Sequence, residues 1–374
     1  MKNTYFDEIN YRFGFGAMRL PMNGEEVDLE ETARMVDAFL AAGFNYFDTA
    51  HGYIDGKSEL ALRECLTKRY PRDAYVFANK LTEPFFRKEE DIRPFFQSQL
   101  EACGVEYFDF YLMHAQNAEF FEKFKRCRAY ETAFALKEEG KIRHVGISFH
   151  DRASVLDQIL TEYPQIEAVQ IQFNYLDMED PAIECRNCYE VCQKHNTPVI
   201  VMEPVKGGSL ASLIPGADEI FADLQKKTGS TESQAAFALR FTASFPGNMM
   251  ILSGMSSLAQ MEDNVAVMKD PAPLTDEEKA AAAEITKVYY SKEMIPCTAC
   301  RYCIEENHCP KKIAIPQLFA DMNARKIYGG MAGGWYYMVH TQNAGKASDC
   351  VGCGGCEHVC PQKLPIREYL AQVA

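Results

Sequence analysis

The sequence predicts a (β/α)8 barrel followed by a small, cysteine-rich α-helical lobe. Three observations carry this. From Arg12 to about Asp270, short β-rich runs alternate with segments of helical period. Eight such repeats fill roughly 250 residues, the usual length of this barrel. The strand cores are continuously apolar, as in a parallel sheet buried on both faces.

The strands are read at "FGFGAM", "FNYFDTA", "YVFANKL", "FDFYLMHA", "IRHVGISF", "IEAVQIQFN", "TPVIVMEP" and "NMMILSGM". Helices are expected at Leu29–Ala42, Glu89–Cys103, Ala118–Glu139 and Ala153–Tyr163. A doubly wound open sheet would want Gly-x-Gly-x-x-Gly after its first strand. "GFGAMR" has Gly14 and Gly16, but Arg19 stands at the third place. Pro271 and Pro273 end the alternation. One more helix, Thr275 to Tyr290, opens on a capping box of Thr275 and Glu278. The domains are drawn as 1–272 (barrel), 273–296 (connecting helix and linker) and 297–374 (cysteine-rich domain).

With 39 Lys and Arg against 53 Asp and Glu, the 374-residue chain carries −14. No clustered basic surface suggests nucleic acid. From Cys297 onward eight basic residues face six acidic ones, so the tail is near neutral and the body acidic. The first residues lack a signal-peptide apolar run, and no 18-residue apolar stretch predicts a membrane span. Fourteen cysteines without an export signal suit reduced thiols or bound metal. The expectation is a cytoplasmic protein with neither nucleic-acid nor membrane partners.

Barrel chemistry sits at the carboxyl ends of the strands. Strand two ends at Asp48, and its loop carries Tyr53 in "HGY"; strand three ends at Lys80 and strand four at His114. A phenol titrates near pH 10 in isolation, and a neighbouring ammonium lowers that value. Lys80 supplies the ammonium, Asp48 holds it, and His114 orients the substrate oxygen or passes on a proton. Tyr53 then protonates a carbonyl oxygen while hydride reaches the carbon. At these four residues the chain resembles the aldo-keto reductase superfamily, in the same order and on the same strands, over about Phe13 to Val267.

The resemblance implies a nicotinamide cofactor, NADP(H) or NAD(H). It assigns Ser148 in "GIS", with His150 nearby, and Gln170 in "VQIQFN", with Asn174 beyond it, to the nicotinamide end. "PVKGGSL", with Val205, Gly207, Gly208 and Leu210, is similar to the family's pyrophosphate-covering loop, where glycines let backbone approach phosphate. Asp263 and Asn264 match the adenine end. Met202 stands where many members stack an aromatic ring. Gly254 and Gln260 stand where many place a cation against the 2′-phosphate, with Ser256 and Ser257 as remaining hydrogen-bond donors. "HGYIDGKS" lacks the first glycine of a phosphate loop and is read as an ordinary loop leading to a helix capped at Ser58.

Cys297, Cys300 and Cys303 repeat at three, with Cys309-Pro310 after them; Cys350, Cys353, Cys356 and Cys360-Pro361 form a second run. Zinc suits Cys-x2-Cys pairs, whereas triples ending in Cys-Pro are the iron–sulfur pattern. The two runs resemble a bacterial-type ferredoxin with two [4Fe–4S] clusters. That resemblance implies crossed ligation, with Cys297, Cys300, Cys303 and Cys360 on one cluster and Cys350, Cys353, Cys356 and Cys309 on the other. Cys185, Cys188 and Cys192 share one face of a helix opened by Asp180-Pro181, read as a packing face over a metal site. "GGMAGGWYYM", from Gly329 to Met338, suits a packing patch or a loop over the barrel mouth.

A hydride carries two electrons and a [4Fe–4S] cluster accepts one, a gap that a flavin normally bridges. No flavin motif is evident, although barrels bind flavin phosphate without one. The expected function is an oxidoreductase interconverting a small-molecule carbonyl and an alcohol, its clusters serving electron transfer or structure. The alternative is an electron-transfer subunit that docks a flavoprotein or ferredoxin partner, with the barrel as substrate holder. A third reading makes the clusters a redox sensor or a structural staple.

Overall fold

The computed structural model describes residues 1–180, 183–307, 309–328, 337–338, 340–342 and 344–374. Eight strands close a barrel: β1 (Phe13–Gly16), β2 (Tyr46–Asp48), β3 (Val76–Leu81), β4 (Phe108–Gln116), β5 (Ile142–Phe149), β6 (Ala168–Gln172), β7 (Val199–Met202) and β8 (Asn248–Gly254). Each pairs in parallel with its sequence neighbour, and β8 returns to β1. All carboxyl ends therefore share one rim. The eight strands read from the sequence are these eight, because an apolar run flanked by helices has only a buried parallel sheet to enter.

Gly14 shows why the first strand is no dinucleotide turn. A β-carbon there would stand 2.6 Å from Leu252 and 2.9 Å from the Met250 sulfur, inside the packed barrel. The residue is small for packing. The barrel foot is filled by Ile9, Tyr46, Val76, Ala78, Phe110, Ile200, Met249 and Met250, with Phe6 packed against them.

Most helices fall where their period puts them: Leu29–Ala41, Glu89–Cys103, Ala153–Glu162 and Asp276–Ser291. The last has the expected reciprocal cap, Thr275 with Glu278. Two differ. The span expected as one helix from Ala118 to Glu139 is two, Ala118–Arg126 and Ala129–Glu138, broken where Arg128 takes φ +52°. The cysteine-bearing helix runs Cys185–Lys194, after Glu184 at φ +51°, so it begins later than Asp180. Pro181 lies outside the described residues, as does 329–336 of the glycine-aromatic stretch.

Two compact units emerge, Met1–Pro204 with Ala236–Pro273, and Val205–Ala235 with Leu274–Ala374. The sequence boundaries at 272 and 296 follow composition; the grouping of Val205–Ala235 with the C-terminal residues follows packing. Helix Ala217–Thr228 packs on helix Asp276–Ser291. The Tyr289 hydroxyl donates to the Ser209 carbonyl at 2.6 Å. Short helices, among them Tyr302–Glu305, Ile315–Tyr328, Gly355–His358 and Ile366–Val373, gather around Leu318, Phe319, Ile315 and Leu370. Among the described residues no helix is long and apolar enough to cross a membrane.

Candidate active site and cysteine cavities

β2 delivers Asp48 and β3 delivers Lys80 to the rim, and both side chains are buried. Lys80 Nζ donates to Asp48 Oδ1 at 2.6 Å and to the Thr49 carbonyl at 2.8 Å. The same ammonium stands 4.7 Å from the centre of the Tyr53 ring and hydrogen-bonds its hydroxyl. Burial works against the charge on Lys80, but Asp48 and Tyr53 outweigh it and raise its pKa above the ordinary lysine value. Burial pushes Asp48 up against the pull of Lys80. Gln170 also acts on this carboxylate, although Asp48 Oδ2 closes no hydrogen bond of ordinary geometry.

The loop carrying Tyr53 is pegged from below. Thr49 Oγ1 bonds Ser58 Oγ at 2.7 Å, and Ser58 Oγ donates to the Ala17 carbonyl at 2.8 Å. Ser58 is therefore an anchor and not the helix cap expected from sequence; that helix starts at Lys57 after Gly56 at φ +81°. β4 delivers His114, whose ring meets that of Tyr53 edge-on at 6.1 Å. Its Nδ1 is bonded to Thr82 Oγ1 at 2.8 Å. Burial first, then the Lys80 charge and His150, hold its pKa well below the ordinary range, so the imidazole is neutral. The four rim residues read from sequence thus meet in one cluster.

A buried polar network behind them was missed. Glu59 accepts from Asn79 at 2.8 Å and Gln99 at 3.2 Å, and bonds His51 Nδ1 at 2.8 Å. Gln99 also donates to the Lys80 carbonyl at 3.0 Å and accepts from the Tyr111 hydroxyl at 2.6 Å. This network fixes the backbone of Lys80. A signal existed: Glu59 lies on the buried stripe of its helix with Leu62 and Leu66, where an unpaired acid would be costly.

The nucleotide assignments fare unevenly. In the first unit, Ser148 Oγ accepts from the Ala115 amide at 2.7 Å and keeps its own proton to donate. Asn174 is spent on its own loop, donating to Asp177 and the Glu203 carbonyl and accepting two backbone amides. Met202 is half-buried at the end of β7. Asn264 is buried against Ser253 Oγ at 3.2 Å, while Asp263 is exposed. Ser257 caps helix Leu258–Met268, and Ser256 Oγ donates to the Arg19 carbonyl. Arg19, met in the sequence only as a motif mismatch, packs its stem 3.3 Å from where a β-carbon on Gly254 would stand and pairs with Glu203 at 3.6 Å. A cation thus reaches the Gly254 position from the turn Ala17–Arg19 that follows β1.

Val205, Gly207, Gly208 and Leu210 belong to the second unit. They form a tight turn around the short helix Lys206–Gly208, with Gly207 at φ +63° and Gly208 at φ +101°. The Leu210 amide donates to the Val205 carbonyl at 3.1 Å.

That unit also holds two small cavities. The first is lined by Cys297, Cys300, Cys303 and Cys360, with Phe319 and Ile366. The second is lined by Cys309, Cys350, Cys353 and Cys356, with Ile313 and Leu370. Each cavity takes three thiols from one run and the last thiol of the other. Among the described residues, no group of three His, Cys, Asp or Glu converges on the position of a single ion. Four thiols around a cavity suit a polynuclear cluster spanning it. The third cysteine group packs as expected: Cys185, Cys188 and Cys192 are buried, and burial pushes their thiols up.

Comparison with known proteins fits this geometry. An uncharacterized oxidoreductase of Schizosaccharomyces pombe is 26% identical over 279 residues, covering 69% of this chain and 82% of its own. The NADH-specific methylglyoxal reductase of Escherichia coli is 26% identical over 275 residues, covering 62% and 82%. Among solved structures, an aldo/keto reductase from Klebsiella pneumoniae in complex with NADP and acetate superposes with a TM-score of 0.60 at 21% identity, over 77% of this chain and 95% of that one. The aldo-keto reductase of Bacillus halodurans in holo form gives 0.59 at 23%, over 76% and 96%. The 4Fe-4S dicluster domain model matches residues 296–364. The aldo/keto reductase family model matches residues 12–287, most of the chain, and this oxidoreductase belongs to that family.

Proposed function

We propose that the protein interconverts a small carbonyl compound and its alcohol with NADP(H) or NAD(H), using Tyr53 as general acid and base. The observation that carries this is the buried Lys80–Asp48 pair with its ammonium against Tyr53. The nicotinamide, when bound, supplies or takes the hydride. The chain's own groups handle the proton. Lys80 stabilises phenolate, which makes Tyr53 a stronger acid. In reduction the Tyr53 O–H bond breaks and its proton goes to the carbonyl oxygen as that oxygen gains charge. Neutral His114, its Nδ1 held by Thr82, orients that oxygen through its other nitrogen. Ser148 and Gln170 offer a hydroxyl and an amide for the carboxamide, and Met202 a soft surface for the ring. Similar proteins are described with both NADH and NADPH, and Arg19 beside Gly254 is this chain's cation for a phosphate.

The donor sets of the two cavities fit two [4Fe–4S] clusters with crossed ligation. One cluster would use Cys297, Cys300, Cys303 and Cys360, the other Cys309, Cys350, Cys353 and Cys356. A second role, electron exchange with a flavoprotein or ferredoxin, is favoured by the rim of the second cavity, where Cys353 is exposed and Val351 is 59% exposed. Fourteen cysteines, eight of them proposed as cluster ligands, suit a reducing, cytoplasmic compartment. The test is anaerobic turnover of a simple aldehyde by cluster-loaded protein. Tyr53→Phe should lower kcat by about 10²–10⁴-fold, the usual worth of a positioned acid. Full activity in that variant would remove the assignment.

A further inference from the structure

The turn Val205–Leu210 and the first cysteine run touch within one unit. At Gly207 a β-carbon would stand 2.5 Å from the Thr298 carbonyl oxygen and 3.1 Å from the Thr298 Cα, so the two backbones are in direct contact. Thr298 is 3% exposed and lies between Cys297 and Cys300; all three line the first cavity. The segment 296–301 has neither helix nor strand, and Ala299 and Arg301 take φ +52° and +71°. Backbone of that kind holds its shape only where something over-determines it. On its N-terminal side Asn323 clamps Ile295, accepting from its amide and donating to its carbonyl. On its C-terminal side the Arg301 carbonyl accepts the Ile304 and Glu305 amides, and between these two ends the segment carries the thiols of Cys297 and Cys300 into the cavity. The second cavity has no member in this contact.

We infer that the cluster held by Cys297, Cys300, Cys303 and Cys360 positions the turn Val205–Leu210 through the Thr298–Gly207 contact, and so sets dinucleotide affinity. This rests on the reading of Val205–Leu210 as the pyrophosphate loop. Thr298 and Gly207 act as positioning residues, and neither touches the reacting atoms. Filling the first cavity holds Cys297–Cys300 in one shape, and that shape holds the turn. Emptying it frees both. Linkage makes the effect reciprocal, so bound dinucleotide retains the first cluster by the factor the cluster adds to affinity. The second cluster has no such effect.

The experiment compares anaerobically loaded wild type, Cys300→Ala and Cys353→Ala. Hydrogen exchange of peptides covering 205–211 and the NADP+ dissociation constant are both measured. Cys300→Ala should speed exchange at 205–211 and weaken NADP+ about tenfold, within the usual range for coupled sites. Cys353→Ala should leave both within about twofold. Equal effects from the two variants, or none from Cys300→Ala, overturn the inference. Should Cys300→Ala fail to fold, a chelator arm on intact wild type decides: saturating NADP+ slows loss of the first cluster severalfold and leaves the second unchanged. Equal protection of both clusters, or of neither, overturns it. If wild type binds neither NADP+ nor NAD+, the nucleotide reading itself fails. The exchange data then still decide whether the first cluster holds the turn.

Discussion

Replacing Asp48 by Asn removes one half of a pair that is closed to water. Lys80 Nζ and Asp48 Oδ1 are 2.6 Å apart and both side chains are nearly inaccessible. At an effective dielectric of about 20 their attraction is about 6 kcal/mol. Desolvation of both ions offsets part of that, and removing one partner of such a pair usually costs about 3–5 kcal/mol. The barrel unit has roughly 240 residues, giving an unfolding entropy of about 0.5 kcal/mol/K, so Tm should fall by about 6–10 °C. The stranded ammonium is then pulled toward neutrality by burial and no longer favours phenolate at Tyr53. Turnover should fall by about 100-fold or more. Lys80→Met should lose as much activity but remain more stable than Asp48→Asn, because burial already raises Asp48 and its stranded carboxyl can take up a proton. The double variant should regain stability over Asp48→Asn and no activity. Calorimetry on cluster-loaded protein with an aldehyde assay reads all three. A Tm for Asp48→Asn within about 2 °C of wild type, or a Lys80→Met variant less stable than Asp48→Asn, would refute the reasoning.

Two other outcomes are expected. His144 bridges Glu8 and Glu167 at 2.6 and 2.8 Å; burial pulls its pKa down, but the two carboxylates outweigh that and raise it to about 9. A raised folded pKa gives stability fully present below the unfolded value near 6.5 and lost as pH rises through about 9. The stability advantage of wild type over His144→Gln, about 1–2 kcal/mol after solvent screening, should therefore be present at pH 6 and gone near pH 10. A difference independent of pH would show that the imidazole only packs. Crossed ligation makes a distinct claim about Cys309→Ala: iron should fall from about eight to about four atoms per chain, and Cys350, Cys353 and Cys356 should become open to alkylation. Alkylation of Cys297, Cys300 and Cys303 instead would mean each run serves its own cluster.

The barrel was legible because burial on both faces leaves a strand no choice of residue, and because its repeats have the barrel's length. The placement of the rim residues was legible for a related reason: Asp48, Lys80 and His114 are polar residues closing apolar strands, where the barrel interior gives way to the rim. What failed to show was decided by tertiary partners. Nothing in "RCRAYE" marks the break at Arg128, since neither glycine nor proline announces it. Ser58 reads as a cap because its true partners, Thr49 and Ala17, are distant in sequence. Arg19 reads as a mismatch because periodicity cannot say that it crosses to Gly254. The grouping of Val205–Ala235 with the C-terminal residues was hidden likewise: a helix shows that it has an apolar face, and not which surface will cover it.

The charge states at the rim narrow the proton's route. A group that is to give up a proton near neutrality must hold one and be able to release it. His114 is held neutral by burial and by the Lys80 charge, so it offers hydrogen bonding in place of a labile proton. Lys80 holds its proton too firmly, since Asp48 and Tyr53 raise its pKa and two of its hydrogens go to Asp48 and Thr49. Asp48 acts as the counter-ion. What those settings jointly favour is an anion on the phenol oxygen, the one rim atom whose charge Lys80 is placed to stabilise. The charged lysine and the neutral histidine are thus two consequences of one burial. Under the proposed reaction, they leave Tyr53 as the group through which the proton would enter and leave.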